Sequence, residues 1–167
     1  MASTVRGWAV LSADGAYRYE LWRIWEPEGP LCGWIMLNPS TADAHRDDPT
    51  TRRCVRGCQS WGYGGLVIVN LYALRASHPA QLRHHPDPVG ARNDHHIHTM
   101  ATLATSLVCA WGTHPLATHR AAAVITLLHR AAPNTLLRCL GTTHTGAPRH
   151  PLYTPRTATP IPLHEVP

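Results

Sequence analysis

Lysine is absent from this sequence: all fifteen basic residues among its 167 are arginine. Acidic residues are few, ten in all, and the formal net charge is +5. An arginine excess suits an anionic partner, because the guanidinium fork matches phosphate. Arginine-rich codon usage accounts for the same composition, together with the many His, Ala and Pro residues. Charge alone therefore does not point to nucleic acid.

Long apolar runs are missing as well. None approaches the roughly 18 residues that cross a bilayer, and the opening Met1-Ala2-Ser3-Thr4-Val5-Arg6 lacks the apolar segment of a secretory signal. These absences predict a soluble, cytoplasmic chain with no membrane partner. An even set of cysteines is also missing, since Cys32, Cys54, Cys58, Cys109 and Cys139 make five. Three of them sit in strand-like runs, which predicts buried free thiols and no disulfide framework. Cys54 and Cys58 share a helix face, but no second pair follows at zinc spacing, so no metal site is expected. His96 and His98, two apart, do not share a helix face, and with His95 they read as surface histidines. No repeat and no linker divides the chain. Its length suits one domain, with a core over residues 16–153 and a proline-rich tail over 154–167.

What is present is a series of apolar runs that stop at polar residues. Gly33-Trp34-Ile35-Met36-Leu37 halts at Asn38-Pro39-Ser40, with Asp43 close behind. Leu66-Val67-Ile68-Val69 ends in Asn70, and Leu107-Val108-Cys109-Ala110 ends in Trp111-Gly112. A fourth run over 135–141 leads into a loop over 142–153 that holds His150. Continuous rather than alternating apolar runs suit strands covered on both faces. Residues 16–25 (AYRYELWRIW) alternate instead, and predict an edge or half-exposed strand. Trp22, Trp25 and Trp34 read as core.

Helices are expected between the strands. Asp48 or Thr50 caps one over about 50–61, with Pro49 near its first turn and Arg52, Arg53 and Arg56 on its basic face. Asn93 or Asp94 caps a second to about 105, and residues 115–130 form a third with Leu116, Val124, Leu127 and Leu128 on its apolar side. Residues 73–90 read as a long loop with a short helical piece near 79–83. Strands alternating with helices predict a three-layer α/β/α domain. Its central sheet is expected to be mainly parallel and four-stranded, with an added N-terminal edge strand.

In a parallel sheet the strand ends converge on one edge, where ligands sit. Asn38, Asn70, Trp111 and His150 are therefore expected in one site. Paired Asn amides and a His suit the edge of a nucleobase or amide. Ordinary turn-capping also accounts for Asn38, and a satisfied strand-end amide for Asn70.

The motifs LNPSTAD (37–43), DDPT (47–50), WGYGG (61–65), VNLYALRA (69–76), DPVGARND (87–94), WGTH (111–114) and GAPRHPLY (146–153) resemble those of a bacterial and phage family, domain-of-unknown-function family 1643. More distantly, their order resembles the uracil-DNA glycosylase superfamily. There a first strand ends in an Asn-Pro or Asp-Pro whose side chain positions water, the place of Asn38-Pro39. A later strand ends in the Asn that reads the base, the place of Asn70. A Trp-Gly strand end follows, as in Trp111-Gly112, and then a His-Pro-Ser loop, to which His150-Pro151-Leu152 is similar with Leu for Ser.

That resemblance implies a glycosylase-like fold and cleavage of an N-glycosidic bond in DNA repair or modification. It makes Asn38 and His150 catalytic, with Asp43, Asp47 or Asp48 as the base. Asn70, Pro39, Ser40, Tyr72, Trp111 and Gly112 would meet the nucleobase; Trp61, Tyr63 and Tyr72 are the stacking candidates. Arg52, Arg53, Arg56, Arg75 and Arg149 would meet phosphates. No cofactor is implied, and the partner is DNA or a nucleoside or nucleotide, bound by a monomer. Two alternatives stay open: an N-glycosidase acting on a free nucleoside or small metabolite, and a non-catalytic reader of modified DNA.

Overall fold

The computed structural model describes residues 5–164. Seven strands form one sheet: β1 (Arg6–Leu11), β2 (Arg18–Ile24), β3 (Leu31–Met36), β4 (Gly65–Asn70), β5 (Ser106–Cys109), β6 (Leu137–Cys139) and β7 (Ile161–Pro162). Their order is β1-β2-β4-β3-β5-β6-β7. β3 runs parallel to β4 and β5, and β5 parallel to β6. The β1–β2, β2–β4 and β6–β7 pairings are antiparallel.

This mixed, seven-stranded sheet overturns the expectation of a mainly parallel, four-stranded one with a single edge strand. β2 is no edge strand, because it lies between β1 and β4. The physical reason is the fate of its polar residues. Arg18, Glu20 and Arg23 are 4%, 8% and 4% exposed, so the alternation in β2 marks buried polar contacts rather than a wet face. Arg23 pairs with Asp47 at 2.7 Å, and Glu20 Oε1 lies 2.6 Å from His96 Nδ1. The sheet also extends beyond residues 16–153, through β1 at one end and through β7 in the proline-rich stretch at the other.

Three α-helices cover the sheet: α1 (Pro49–Ser60), α2 (Asn93–Leu103) and α3 (Pro115–Ala131). Trp34, Met36, Leu66 and Ile68 cluster with Cys54 and Cys58 of α1. Ile35, Val67, Val69 and Leu107 cluster with Ile97 and Met100 of α2 and with Val124 and Leu128 of α3. Alternate residues of β3 and β4 thus enter opposite cores, which is why their apolar runs are continuous. Gly33 lets α2 approach β3 closely: a Cβ there would lie 2.3 Å from Met100 Sδ. All five cysteines are free and buried. The loop after β4 carries one short 3-10 turn, Pro79–His84. No helix among the described residues is long and apolar enough to cross a membrane.

Candidate functional site

β3 sends its chain through α1 to β4 on one side, while β5 sends its chain through α3 to β6 on the other. Their carboxyl ends therefore flank a point where the winding reverses, the usual place for a ligand crevice. A cavity of about 200 Å³ lies there, lined by Asn38, Ser40, Asp48, Asn70, Trp111 and His150, with Arg18, Met36 and Ile68 also in its wall. It is smaller than the ~300–1,000 Å³ of sites for drug-sized ligands. Four strand ends, distant in sequence, meet in it.

The two amides are held differently. Asn38 Nδ2 donates to Pro39 O and Ala76 O, both at 2.9 Å, which leaves Oδ1 as the amide's remaining acceptor. Asn70 is 1% exposed, and its Oδ1 has no hydrogen-bond partner among the described residues. Its backbone, in contrast, is firmly anchored. Asn93 Nδ2 donates to Asn70 O at 2.9 Å and to Leu71 O at 3.2 Å, and Arg120 Nε donates to Leu71 O at 3.1 Å. Asn93 was expected as a helix cap, but the cap position of α2 is Arg92. The Asn93 side chain is used instead to fix the end of β4.

The charged groups sit on the α1 side. Asp48 is the N-cap of α1, and its Oδ1 accepts from Thr51 N at 2.7 Å. Its Oδ2 accepts from Ser40 Oγ at 3.0 Å. Burial pushes the Asp48 carboxyl up, but the bonds from Thr51 and Ser40 and the nearby Arg18 cation outweigh it and hold the pKa below the ordinary carboxylate value. Asp48 is thus ionised at neutral pH. Arg18 Nη1 donates to Ala42 O at 2.6 Å, while its Nε is buried without a partner among the described residues. Burial lowers the Arg18 pKa to about 10, against the pull of Asp48, so the guanidinium stays charged at neutral pH.

His150 caps the 3-10 turn Pro151–Tyr153, its Nδ1 accepting from Leu152 N at 3.3 Å. With Nδ1 accepting, the neutral ring carries its proton on Nε2. Burial lowers the ring's pKa, partly countered by Asp48. A neutral His with a free N–H, an ionised carboxylate, a buried cation and two amides make a site that can donate to and accept from a polar ring at several points.

Several sequence-predicted residues lie elsewhere. Asp43 does not line this cavity: its Oδ1 accepts from His45 N and Arg46 N at 2.8 and 2.9 Å in a turn, and these bonds lower its pKa. Asp48 is the carboxylate in the cavity wall. Pro39 is buried beside the cavity, its carbonyl taken by Ala76 N and Asn38 Nδ2. Tyr72 lies in the α2–α3 core and donates from its hydroxyl to Leu116 O at 2.8 Å. Trp61 stacks on Trp34, with ring centroids 5.9 Å apart, and of the aromatic candidates only Trp111 reaches the cavity. Gly112 faces a neighbouring hollow of about 640 Å³ along α3 that shares the Trp111 wall. That hollow is the larger, but it gathers mostly Ala and Thr side chains and none of the Asn pair.

None of the five predicted phosphate-binding arginines lines the cavity. Arg52 donates to Asp47 O, Arg53 to Pro155 O, Arg75 to Gly15 O and Arg149 to Thr142 O, while Arg56 is exposed on α1. The arginine that does line it, Arg18, was missed, because its place in an alternating run assigned it to solvent. Among the described residues no three His, Cys, Asp or Glu side chains gather in a way that would hold a metal ion.

A family model described as "Protein of unknown function (DUF1643)" matches residues 18–152. The chain belongs to this family. The DUF1643 match begins at Arg18 and runs just past His150, so every polar residue of the cavity falls inside it. No curated protein and no solved structure matches the chain.

Proposed function

We propose that this DUF1643 protein takes a nucleobase of DNA into the cavity and cleaves its N-glycosidic bond. The observation that carries the reading is Asn70: a polar side chain 1% exposed, without a partner for Oδ1, in the wall of the cavity. An unpaired buried amide is costly, about 1–3 kcal/mol, and a base edge would satisfy it. The order of Asn38, Asn70, Trp111-Gly112 and His150, similar to the uracil-DNA glycosylase superfamily, supports the same reading.

In this scheme the base leaves the stack and lies against Trp111, its edge paired with Asn70. His150 Nε2–H donates to a base oxygen as negative charge develops there. Asn38 Oδ1 orients a water at C1′. The C1′–N bond breaks with its electron pair going to the base, and the water oxygen bonds to C1′. The proton that water loses passes to Asp48, from which the departing base recovers it. Leu152 and Tyr153, 49% and 79% exposed beside His150, supply apolar surface for unstacked DNA.

A second reading, action on a free nucleoside, is favoured by the arginines: four of the five predicted phosphate contacts donate to backbone carbonyls instead. One gel assay separates the two. Labelled oligonucleotides carrying uracil, mismatched thymine or hydroxymethyluracil are incubated with the protein and treated with alkali. Strand breaks that vanish in Asn70→Ala and His150→Ala are expected. Salt-sensitive retention of DNA without breaks favours a reader. Neither breaks nor retention overturns the DNA reading and moves the test to nucleosides.

A further inference from the structure

The two edges of the sheet are finished differently. β7 is two residues long and contains Pro162, which has no N–H to offer a further strand, so that edge is blunted. β1 is six residues long, holds no proline and one charge, Arg6, and has β2 as its one neighbour among the described residues. A row of its backbone N–H and C=O groups therefore stands open, a ready template for another strand. Of the eight large apolar side chains exposed among the described residues, three lie in or beside β1: Val5, Trp8 and Leu11. The open edge is thus an apolar one.

One face of β1 is already in use. Ala9 packs against the core that holds Cys54 and Cys58, and Gly7 leaves room for Ala44 O, 2.8 Å from where a Cβ would stand. The opposite face carries Arg6, Trp8 and Val10. Trp8, 42% exposed, stacks there on Trp22 with ring centroids 5.0 Å apart.

This strand is complementary to itself. A bulge between Val10 and Leu11 breaks its register with β2, which leaves Arg6–Val10 as the regular segment and Trp8 as its midpoint. Two copies run antiparallel about a two-fold axis at Trp8 pair every residue of that segment. Trp8 meets the partner's Trp8, Gly7 the partner's Ala9, and Arg6 the partner's Val10. A slip of one residue would turn the apolar face away, and a slip of two would leave the ends unpaired. In the full register the indole stack grows from two rings to four, and aromatic cross-strand pairs are favourable. No like charges meet. Arg6 stands across from an apolar residue whose own neighbour on β2 is Glu20, so the cation is in line with a carboxylate rather than another arginine. Each chain has one such edge, so the pairing closes at two copies and does not run on into a fibre.

We infer that β1 is a dimerisation edge, on which a second copy of this chain lays its own β1 antiparallel about Trp8 and joins the two sheets into one. The dimer, rather than the monomer that the sequence resemblance implies, is then the form in solution. None of the residues lining the strand-end cavity lies in β1, so the inference is independent of the nucleobase reading.

Sedimentation velocity of the full chain over a range of concentrations reads the assembly directly. The wild type is expected to sediment with the mass of two chains. Trp8→Lys sets two cations against each other on the axis and is expected to give monomer. Val10→Arg tests the register without removing the indole stack: the new cation neighbours Glu20 in its own chain but stands opposite the partner's Arg6. That clash occurs twice across the axis, so the dimer dissociation constant is expected to rise about tenfold. Adding Arg6→Glu to Val10→Arg turns both clashes into opposite-charge pairs and is expected to restore the dimer. A wild type that stays monomeric at every concentration overturns the inference and leaves the edge to a strand of another protein. A dimer indifferent to Val10→Arg, a loss that Arg6→Glu does not reverse, or assembly that continues past two copies overturns it as well. Should Trp8→Lys fail to fold, the wild-type mass and the two Val10→Arg variants still decide.

Discussion

Ser40 Oγ donates to Asp48 Oδ2 across 3.0 Å, so the turn after β3 is tied to the cap of α1. One carboxylate both starts a helix and charges the cavity, and substitutions separate the two roles. Asp48→Ala removes the cap, at a cost of about 1 kcal/mol, and also strands Ser40 and Arg18. Asp48→Asn keeps a capping oxygen but removes the charge. Because the folded pKa of Asp48 is depressed below 3.8, its contribution is fully present above that value and lost as pH falls through the folded one. Wild-type urea midpoints are expected to fall over that acid window, and those of Asp48→Asn to fall less. Equal acid sensitivity of the two proteins contradicts this account.

His150 is read directly by its own titration. Burial holds its pKa below 6.5, with Asp48 pulling it back up. The folded state favours the neutral ring, so its contribution is present above 6.5 and fades as pH falls through the depressed value. An NMR titration of the His150 ring is expected to give a midpoint below 6.5, and Asp48→Asn to move it lower still. An upward move in that variant means that the two groups do not interact as described.

Asn70→Leu separates function from stability. The substitution removes a buried amide whose Oδ1 has no partner and fills the space with carbon. Denaturant unfolding is expected to show stability unchanged or raised by up to about 1 kcal/mol, a fraction of the cost of an unpaired buried group. Base binding and cleavage are expected to disappear. A large loss of stability instead makes Asn70 a structural residue.

The Glu20–His96 contact ties β2 to α2, and neither side chain lines the cavity. Glu20 accepts from Trp22 Nε1 at 2.6 Å and lies 2.6 Å from His96 Nδ1, while Tyr19 stacks on the His96 ring at 4.7 Å. Glu20→Leu leaves both donors without their acceptor, and is expected to destabilise by about 1–3 kcal/mol for each buried group left unpaired. The Glu20→Leu/His96→Leu double variant is expected to recover part of that loss, measured by urea midpoints. Additive losses indicate that the two side chains do not act as a pair.

Much of the cavity was legible in the chain because its groups stand at the ends of strands. Apolar runs stopping at Asn38, Asn70 and Trp111 marked both the strands and the side on which they open. Asp48 followed by Pro49 marked the start of α1. The expected site residues that lie outside the cavity are side chains whose partners are remote in sequence. Tyr72 resembles an available aromatic until Leu116 O accepts its hydroxyl. Arg53 resembles a free cation until Pro155 O accepts from it. Asp43, Asp47 and Asp48 are alike as residue types, and only the path of the turn decides which carboxylate enters the cavity.

What the sequence determined by itself is local and periodic: continuous apolar runs for strands buried on both faces, a proline-marked helix start, and polar stops where strands end. Those signals depend on neighbours a few residues apart and on spacing along one element. Tertiary structure alone decided which strands adjoin, that β1, β2 and β7 join the sheet antiparallel, and that Arg18, Glu20 and Arg23 lie inside. The reason is that Glu20 and Arg23, three apart, take opposite sides of β2, and alternation assigns each at most to a side. Whether that side meets water or buried partners depends on chain that returns from elsewhere: Ala42 for Arg18, His96 for Glu20 and Asp47 for Arg23.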